Sequence, residues 1–246
     1  MKGSENIKVY PQSEKLAEGF ADELFKTIKG SLNETSSFNI ALSGGNTPKM
    51  LFTVLAEKFL RSLPWDKIHF FWGDERCVAP YNMESNFGMA RRYLLDIVPI
   101  PADNIHRIKG ENAPYREVLR YSNEISKHVP EKNGLPAFDL IMLGMGEDGH
   151  TASIFPDQMK LLHSTKICAV SKHPETGQHR ITLTGPVINN ASNVCFLVSG
   201  NSKAEVLKYI FNGSNKKMEF PAAHIHPMEG KLFWYLDEEA ASKLSR

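Results

Sequence analysis

Residues 38–59 read FNIALSGGNTPKMLFTVLAEKF, and the change of pattern inside them decides the fold. Phe38 to Leu42 is short and mostly apolar, as a strand buried on both faces should be. It runs straight into Ser43-Gly44-Gly45-Asn46-Thr47-Pro48. Pro48 suits the first turn of a helix. Met50, Leu51, Val54, Leu55 and Phe59 then give that helix one apolar face.

The same grammar recurs on either side. Upstream, Leu16, Phe20, Leu24 and Ile28 recur every four residues and predict a helix over 13–30, with Ser13 as N-cap and Gly30 as stop. Downstream, Ile68 to Trp72 is an apolar run ending in Gly73-Asp74-Glu75-Arg76, and helices are predicted over about 85–95 and 114–129. Phe138 to Leu143 is a third buried strand, ending in Gly144-Met145-Gly146-Glu147-Asp148-Gly149-His150. Further strands are predicted at 167–170, 181–183, 194–198 and 232–236, with a helix over 203–211. The stretches 99–114 and 173–179 read as loops. Strands alternating with helices, and central strands apolar throughout, predict a single α/β domain over 1–246, built on a mainly parallel sheet covered by helices.

Composition narrows the partners. Lys plus Arg total 29 against 28 Asp plus Glu in 246 residues, a formal charge of +1. An extended nucleic-acid surface usually carries a clear basic excess, so none is expected. Cys77, Cys168 and Cys195 are odd in number and widely spaced, which argues against a disulfide framework or zinc cluster. The opening MKGSENIKVYPQSEKL lacks the apolar core of a leader. No apolar run reaches the roughly 18 residues of a membrane span. A cytoplasmic protein with no membrane partner is the expectation. The sequons at Asn33, Asn190 and Asn212 then read as chance matches.

In open α/β sheets ligands bind beyond the carboxyl ends of the strands. Polar turns follow four of the predicted strands: SGGNTP at 43–48, GDER at 73–76, GMGEDGH at 144–150 and SGNSK at 199–203. The first can present backbone N–H groups and the Ser43 and Thr47 hydroxyls to an anion at a helix N-terminus; it reads equally as a tight capped turn. It is no Walker loop, because GxxxxGK[ST] is absent, and no nucleophile elbow, because residue 41 is alanine. GMGEDG matches G-x-G-x-x-G, yet the next strand ends Ala169-Val170-Ser171-Lys172 without the carboxylate that a ribose needs. These glycines read instead as a turn that aims Asp148 and His150 at the rim. His150 is the leading acid–base candidate among nine histidines, with Asp148 placed to orient it. Arg76 reads as a carbonyl or phosphate contact or as an ion pair, and Asp74 as a base or as its partner. Lys203 and Arg180 are isolated cations, and Cys77 reads as an inert thiol. His173, His179, His224 and His226 show no metal-ligand spacing, so no metal is expected.

Taken in order, SGGNTP, GDER, GMGEDGHTASIFP, RITLTGPVIN at 180–189 and SGNSK resemble the 6-phosphogluconolactonase family, of the glucosamine-6-phosphate isomerase-like superfamily. The likeness runs from about residue 9 to 237, and 144–156 is its most specific part. Ile154, where leucine is common, is a mild departure. The resemblance implies a modified doubly wound α/β fold with helices on both faces. It also implies hydrolysis of a small phosphorylated sugar lactone, 6-phospho-D-glucono-1,5-lactone, in the oxidative pentose phosphate pathway, without a cofactor. By the same resemblance, Ser43, Gly44, Gly45 and Thr47, with Arg180 and Lys203, would bind the phosphate. His150 would be the acid–base residue supported by Asp148, and Asp74 and Arg76 would line the reacting end. The related deaminases usually read D-E-Y where this chain has Asp74-Glu75-Arg76, and D-G-H-I-A-F-N-E where it has DGHTASIFP. Both differences favour the lactonase over an isomerase or deaminase. Sugar-phosphate sensors on this fold carry a DNA-binding helix-turn-helix, for which the residues before 38 offer only one long helix.

Overall fold

The computed structural model describes residues 6–244; Met1–Glu5, part of the stretch read for a leader, and Ser245–Arg246 lie outside the described residues. The strands are β1 (Asn6–Tyr10), β2 (Phe38–Leu42), β3 (Ile68–Trp72), β4 (Asp74–Arg76), β5 (Glu131–Lys132), β6 (Leu135–Pro136), β7 (Leu140–Leu143), β8 (Cys168–Lys172), β9 (His179–Leu183), β10 (Asn193–Val198) and β11 (Lys231–Asp237). The α-helices are α1 (Ser13–Ser31), α2 (Asn46–Lys58), α3 (Asn86–Ala90), α4 (Pro114–His128), α5 (Gly185–Asn189) and α6 (Ala204–Phe211).

Six strands form one parallel sheet in the order β1-β11-β10-β7-β2-β3. Every residue of β2 and β7 is buried, which is why both read as unbroken apolar runs. Helices cover both faces. Successive strand residues point to opposite sides; Tyr235 meets Phe20 of α1 edge-on at 4.7 Å between ring centroids, while its neighbour Trp234 meets Phe211 of α6 at 5.2 Å. The open edge of β3 is covered as well. The Tyr121 hydroxyl of α4 accepts from the Trp72 N–H at 2.8 Å and donates to the Trp72 carbonyl at 2.9 Å. That satisfies edge groups which would otherwise invite pairing with another chain.

A second sheet, β4-β9-β8, is antiparallel. The predicted strands at 167–170 and 181–183 therefore do not extend the parallel sheet. The reason is Gly73, where the chain leaves β3: its N–H still bonds Leu42 in the large sheet at 2.8 Å, and its carbonyl accepts from Leu183 in the small one at 2.8 Å. Other differences are local. Gln12, not Ser13, is the N-cap of α1, and that helix passes through Gly30 to end at Ser31. The helix predicted at 85–95 is α3 followed by a π-turn at Arg91–Leu95. β1 is short, alternates apolar with polar residues and exposes Ile7 and Val9, so no continuous apolar run announces it. No helix among the described residues is long and apolar enough to cross a membrane.

Candidate active site

From β2 the chain proceeds outward to β3, and from β7 it proceeds the other way to β10 and β11. Between β2 and β7 the winding reverses, and the loops beyond their carboxyl ends part to leave a crevice. Ser43-Gly44-Gly45 leaves β2 on one side of it, and Gly144 to His150 leaves β7 on the other. These segments, with Asp74, Arg76, Asn86, Ala152 and Arg180, line one cavity of about 140 Å³.

The β2 loop is shaped by what it lacks. A methyl group on Gly44 would lie 1.9 Å from the Asn86 side-chain oxygen, so only glycine lets Asn86 reach the cavity wall. Thr47 is buried, and its hydroxyl is 2.7 Å from that of Ser199, which ties the start of α2 to the turn after β10. Thr47 thus braces the loop and does not line the cavity. Lys203, on that same turn, lies 3.8 Å from Glu147, at the edge of the β7 loop.

The β7 loop closes on itself, with the Gly146 N–H bonded to the His150 carbonyl at 2.9 Å. His150 Nδ1 is 2.6 Å from an Asp148 carboxylate oxygen, and the same oxygen accepts from the His150 backbone N–H at 3.1 Å. Burial pushes the Asp148 carboxyl up, but the hydrogen bond and charge of His150 outweigh it and hold the group below the ordinary aspartate value. With Asp148 accepting from Nδ1–H, the Nε2 lone pair is free. Gly146 makes the pair possible: a Cβ there would meet His150 Nδ1 at 2.1 Å and the Asp148 oxygen at 2.5 Å. The imidazole also rests on Phe155, 4.7 Å between ring centroids. Ala152 adopts φ 49°, a left-handed conformation costly for a residue with a Cβ. The turn it permits points Ser153 inward, where its hydroxyl donates to Asp74 at 2.5 Å.

The third wall comes from the small sheet. Asp74 is buried and also accepts from Asn86 at 3.3 Å. Glu75, next in chain, is 2% exposed and accepts four hydrogen bonds, from the N–H groups of Arg76, Asn86 and Phe87 and from the Ser85 hydroxyl, at 2.7–2.9 Å. Burial raises its carboxyl above the usual range despite those bonds. Glu75 thereby pins the segment that carries Asn86. Arg76 and Arg180 are directly opposed across the β4–β9 ladder. Among the described residues neither has an ion-pair partner, and the buried Nε of each lacks a hydrogen-bond acceptor. Burial, and then the charge of Arg76, lower the Arg180 pKa. Two opposed cations with no carboxylate in ion-pair contact suit an anionic ligand. Arg76, with Gly45 and Asn86, also lines a neighbouring groove of about 580 Å³ that includes Lys49, whereas Arg180 lies over Phe155, the ring that supports His150.

The structure therefore gathers Ser43, Gly44, Gly45, Asp74, Arg76, His150 and Arg180 around one cavity, with Asp148 behind His150 and Thr47 and Lys203 beside it. Asn86, Glu75, Ser153 and Gly146 complete the site without being marked by the motifs as site residues. The one available signal was Ser85-Asn86, a pair suited to a helix start; Ser85 does cap α3. Cys77 is not a nucleophile, since burial and nearby carboxylates push its thiol up to about 11.

Comparison with known proteins identifies the family. A family model described as glucosamine-6-phosphate isomerases/6-phosphogluconolactonase matches residues 11–234. The 6-phosphogluconolactonase of Haemophilus influenzae is 42% identical over 240 residues, covering 97% of this chain and 100% of that protein. That of Aggregatibacter actinomycetemcomitans is 41% identical with the same coverage. The solved 6-phosphogluconolactonase of Trypanosoma brucei aligns with a TM-score of 0.87 at 29% identity, covering 98% of this chain and 99% of that one. The chain belongs to the glucosamine-6-phosphate isomerase/6-phosphogluconolactonase family.

Proposed function

We propose that the chain hydrolyses 6-phospho-D-glucono-1,5-lactone to 6-phospho-D-gluconate in the pentose phosphate pathway. The observation that carries this reading is the His150–Asp148 pair facing the same cavity as two guanidinium groups without an ion-pair partner and the α2 N-terminus. A sugar lactone is an activated ester, so a positioned base and an anion grip meet its catalytic demand.

Nε2 of His150 takes a proton from water as the water oxygen bonds C1. Asp148 holds the resulting imidazolium. The C1–O bond to the ring oxygen then breaks, and the imidazolium returns the proton to that oxygen. A positioned base of this kind is worth roughly 10²–10⁴-fold. The phosphoryl group sits against the N–H groups of Ser43 to Thr47, with Lys203 at the rim, and its binding energy orients the lactone.

The surroundings of the two arginines favour a division of labour different from the one the family resemblance implies. Arg76 borders Gly45 and the groove beyond, which suits the phosphate end; Arg180 shares Phe155 with His150, which suits the developing oxyanion. Arg76→Ala is then expected to act mainly on KM, raising it about tenfold or more, because a charged hydrogen bond is worth ~1.5–3 kcal/mol. Arg180→Ala is expected to act mainly on kcat, by roughly 10²-fold. Steady-state kinetics of the two variants separate these roles, and the reverse pattern would restore the other assignment.

The function itself is tested by following freshly generated 6-phosphogluconolactone in the presence of the chain. Lactone consumption well above the spontaneous rate, with no ammonia released from glucosamine 6-phosphate, is expected. Ammonia release without lactone hydrolysis would make it a deaminase.

A further inference from the structure

Far from this site, His69, His106 and His128 converge. His69 lies near the start of β3, whereas the catalytic crevice lies beyond the other end of the sheet; the remaining residues of β3 alone separate them by ~10 Å. His106 follows a short 3₁₀ turn and bonds the edge of β3 through its backbone N–H, which donates to the Phe70 carbonyl at 2.8 Å. His128 is the last residue of α4. One ring nitrogen from each lies within 4.8 Å of the others. His69 Nδ1 and His106 Nε2 are 3.0 Å apart.

We propose that these three imidazoles form a binding site for a divalent transition metal of the zinc class. His106 supplies the strongest argument. Its Nδ1 is 2.8 Å from Glu124 Oε1, so Nδ1–H donates to the carboxylate and Nε2 turns its lone pair toward His69. A ligating histidine is usually held in this way by a carboxylate behind it. The separations bracket the ~3.3 Å edge of a tetrahedron with Zn–N bonds of ~2.0–2.1 Å. Rotation of the partly buried His69 and His128 rings would bring their nitrogens to that spacing. His106 itself is buried, while His128 and Glu124 are about a quarter to a third exposed, so the cluster can be reached from solvent. Glu124 Oε1 also lies 3.5 Å from His128 Nε2, and Oε2 faces Arg120 at 3.7 Å; the carboxylate offsets that cation beside the site. Burial, and then the proximity of His128, hold His69 below the ordinary imidazole value; burial does the same to His106 against the opposing pull of Glu124. A bound ion would staple β3, the loop after it and α4 together.

Zinc titrated into the metal-stripped full chain at neutral pH, by calorimetry and thermal melting, tests this. His150→Ala serves as the background that removes the catalytic imidazole. One equivalent bound, with Tm raised by roughly 5–10 °C at a hundredfold excess over Kd, is expected in wild type and in His150→Ala. His69→Gln/His128→Gln is expected to bind at least 100-fold more weakly, with catalysis unchanged. In a reading that needs no variant to fold, Co²⁺ should broaden the ring-proton resonances of His69, His106 and His128 at the lowest ratios. Undiminished zinc binding in the double variant, absence of zinc binding in wild type, or broadening confined to His150 would overturn the proposal.

Discussion

Replacing His150 by alanine is expected to lower kcat for lactone hydrolysis by roughly 10²–10⁴-fold, with KM within about threefold of wild type. The expectation rests on position. Nδ1 is committed to Asp148 at 2.6 Å, which leaves Nε2 as the nitrogen free for the reacting water. The ring touches Phe155 and the Asp148 carboxylate, and no phosphate-binding group depends on it. Ground-state affinity should therefore survive its loss. Stopped-flow or coupled assays give kcat and KM separately; near-normal turnover would exclude His150 as the base. Asp148 adds a pH signature. Its pKa is depressed in the folded chain, so its support of the imidazole is present above the ordinary carboxylate range and is lost only as pH falls through that lower value.

Glu75→Gln is expected to destabilise the fold by roughly 2–5 kcal/mol, although the side chain hardly changes size. The carboxylate accepts two donors on each oxygen: Arg76 N–H and Asn86 N–H on Oε1, the Ser85 hydroxyl and Phe87 N–H on Oε2. An amide supplies only one oxygen. Its NH₂ would face two donors in a site that is 2% exposed, where unpaired polar groups find no water. For a chain of this length the midpoint of thermal unfolding should fall by roughly 5–15 °C. The segment carrying Asn86 and the backbone of Arg76 loosen together, so KM for the phosphorylated substrate should rise at temperatures where the variant remains folded. A midpoint within a degree of wild type would show that Glu75 does not organise this wall.

The parallel core was legible because it is chemically monotonous. β2, β7 and β10 are buried almost throughout and read as short apolar runs, and each ends in a turn too polar to continue a strand. Those turns carried most of the crevice with them, since a strand end and the loop after it share one rim. The small sheet was not legible. The apolar runs within β8 and β9 are as short as strands of the large sheet, and direction is not written in such a run; the three residues of β4 decide it. β1 was not legible because it is an exposed edge strand in which Lys8 interrupts the apolar residues. Asn86 and Glu75 act through backbone groups eleven residues apart, which no local pattern records. His69, His106 and His128 sit on three different elements, and their spacing matches no metal motif, so the sequence offered no reason to group them.

At the centre of the account is a division between grip and chemistry: the rim of β2 and Arg76 hold a phosphoryl group, and His150, with Arg180 beside it, acts on the ester carbon it presents. Comparing kcat/KM for 6-phosphogluconolactone and for unphosphorylated gluconolactone, in wild type and in His150→Ala, tests that most directly. The account predicts that the phosphate contributes at least ~10³-fold in wild type, as two or three charged hydrogen bonds should, and that His150→Ala lowers kcat on the phosphorylated lactone while leaving its KM in place. Equal rates on the two lactones, or unchanged turnover without the imidazole, would contradict it.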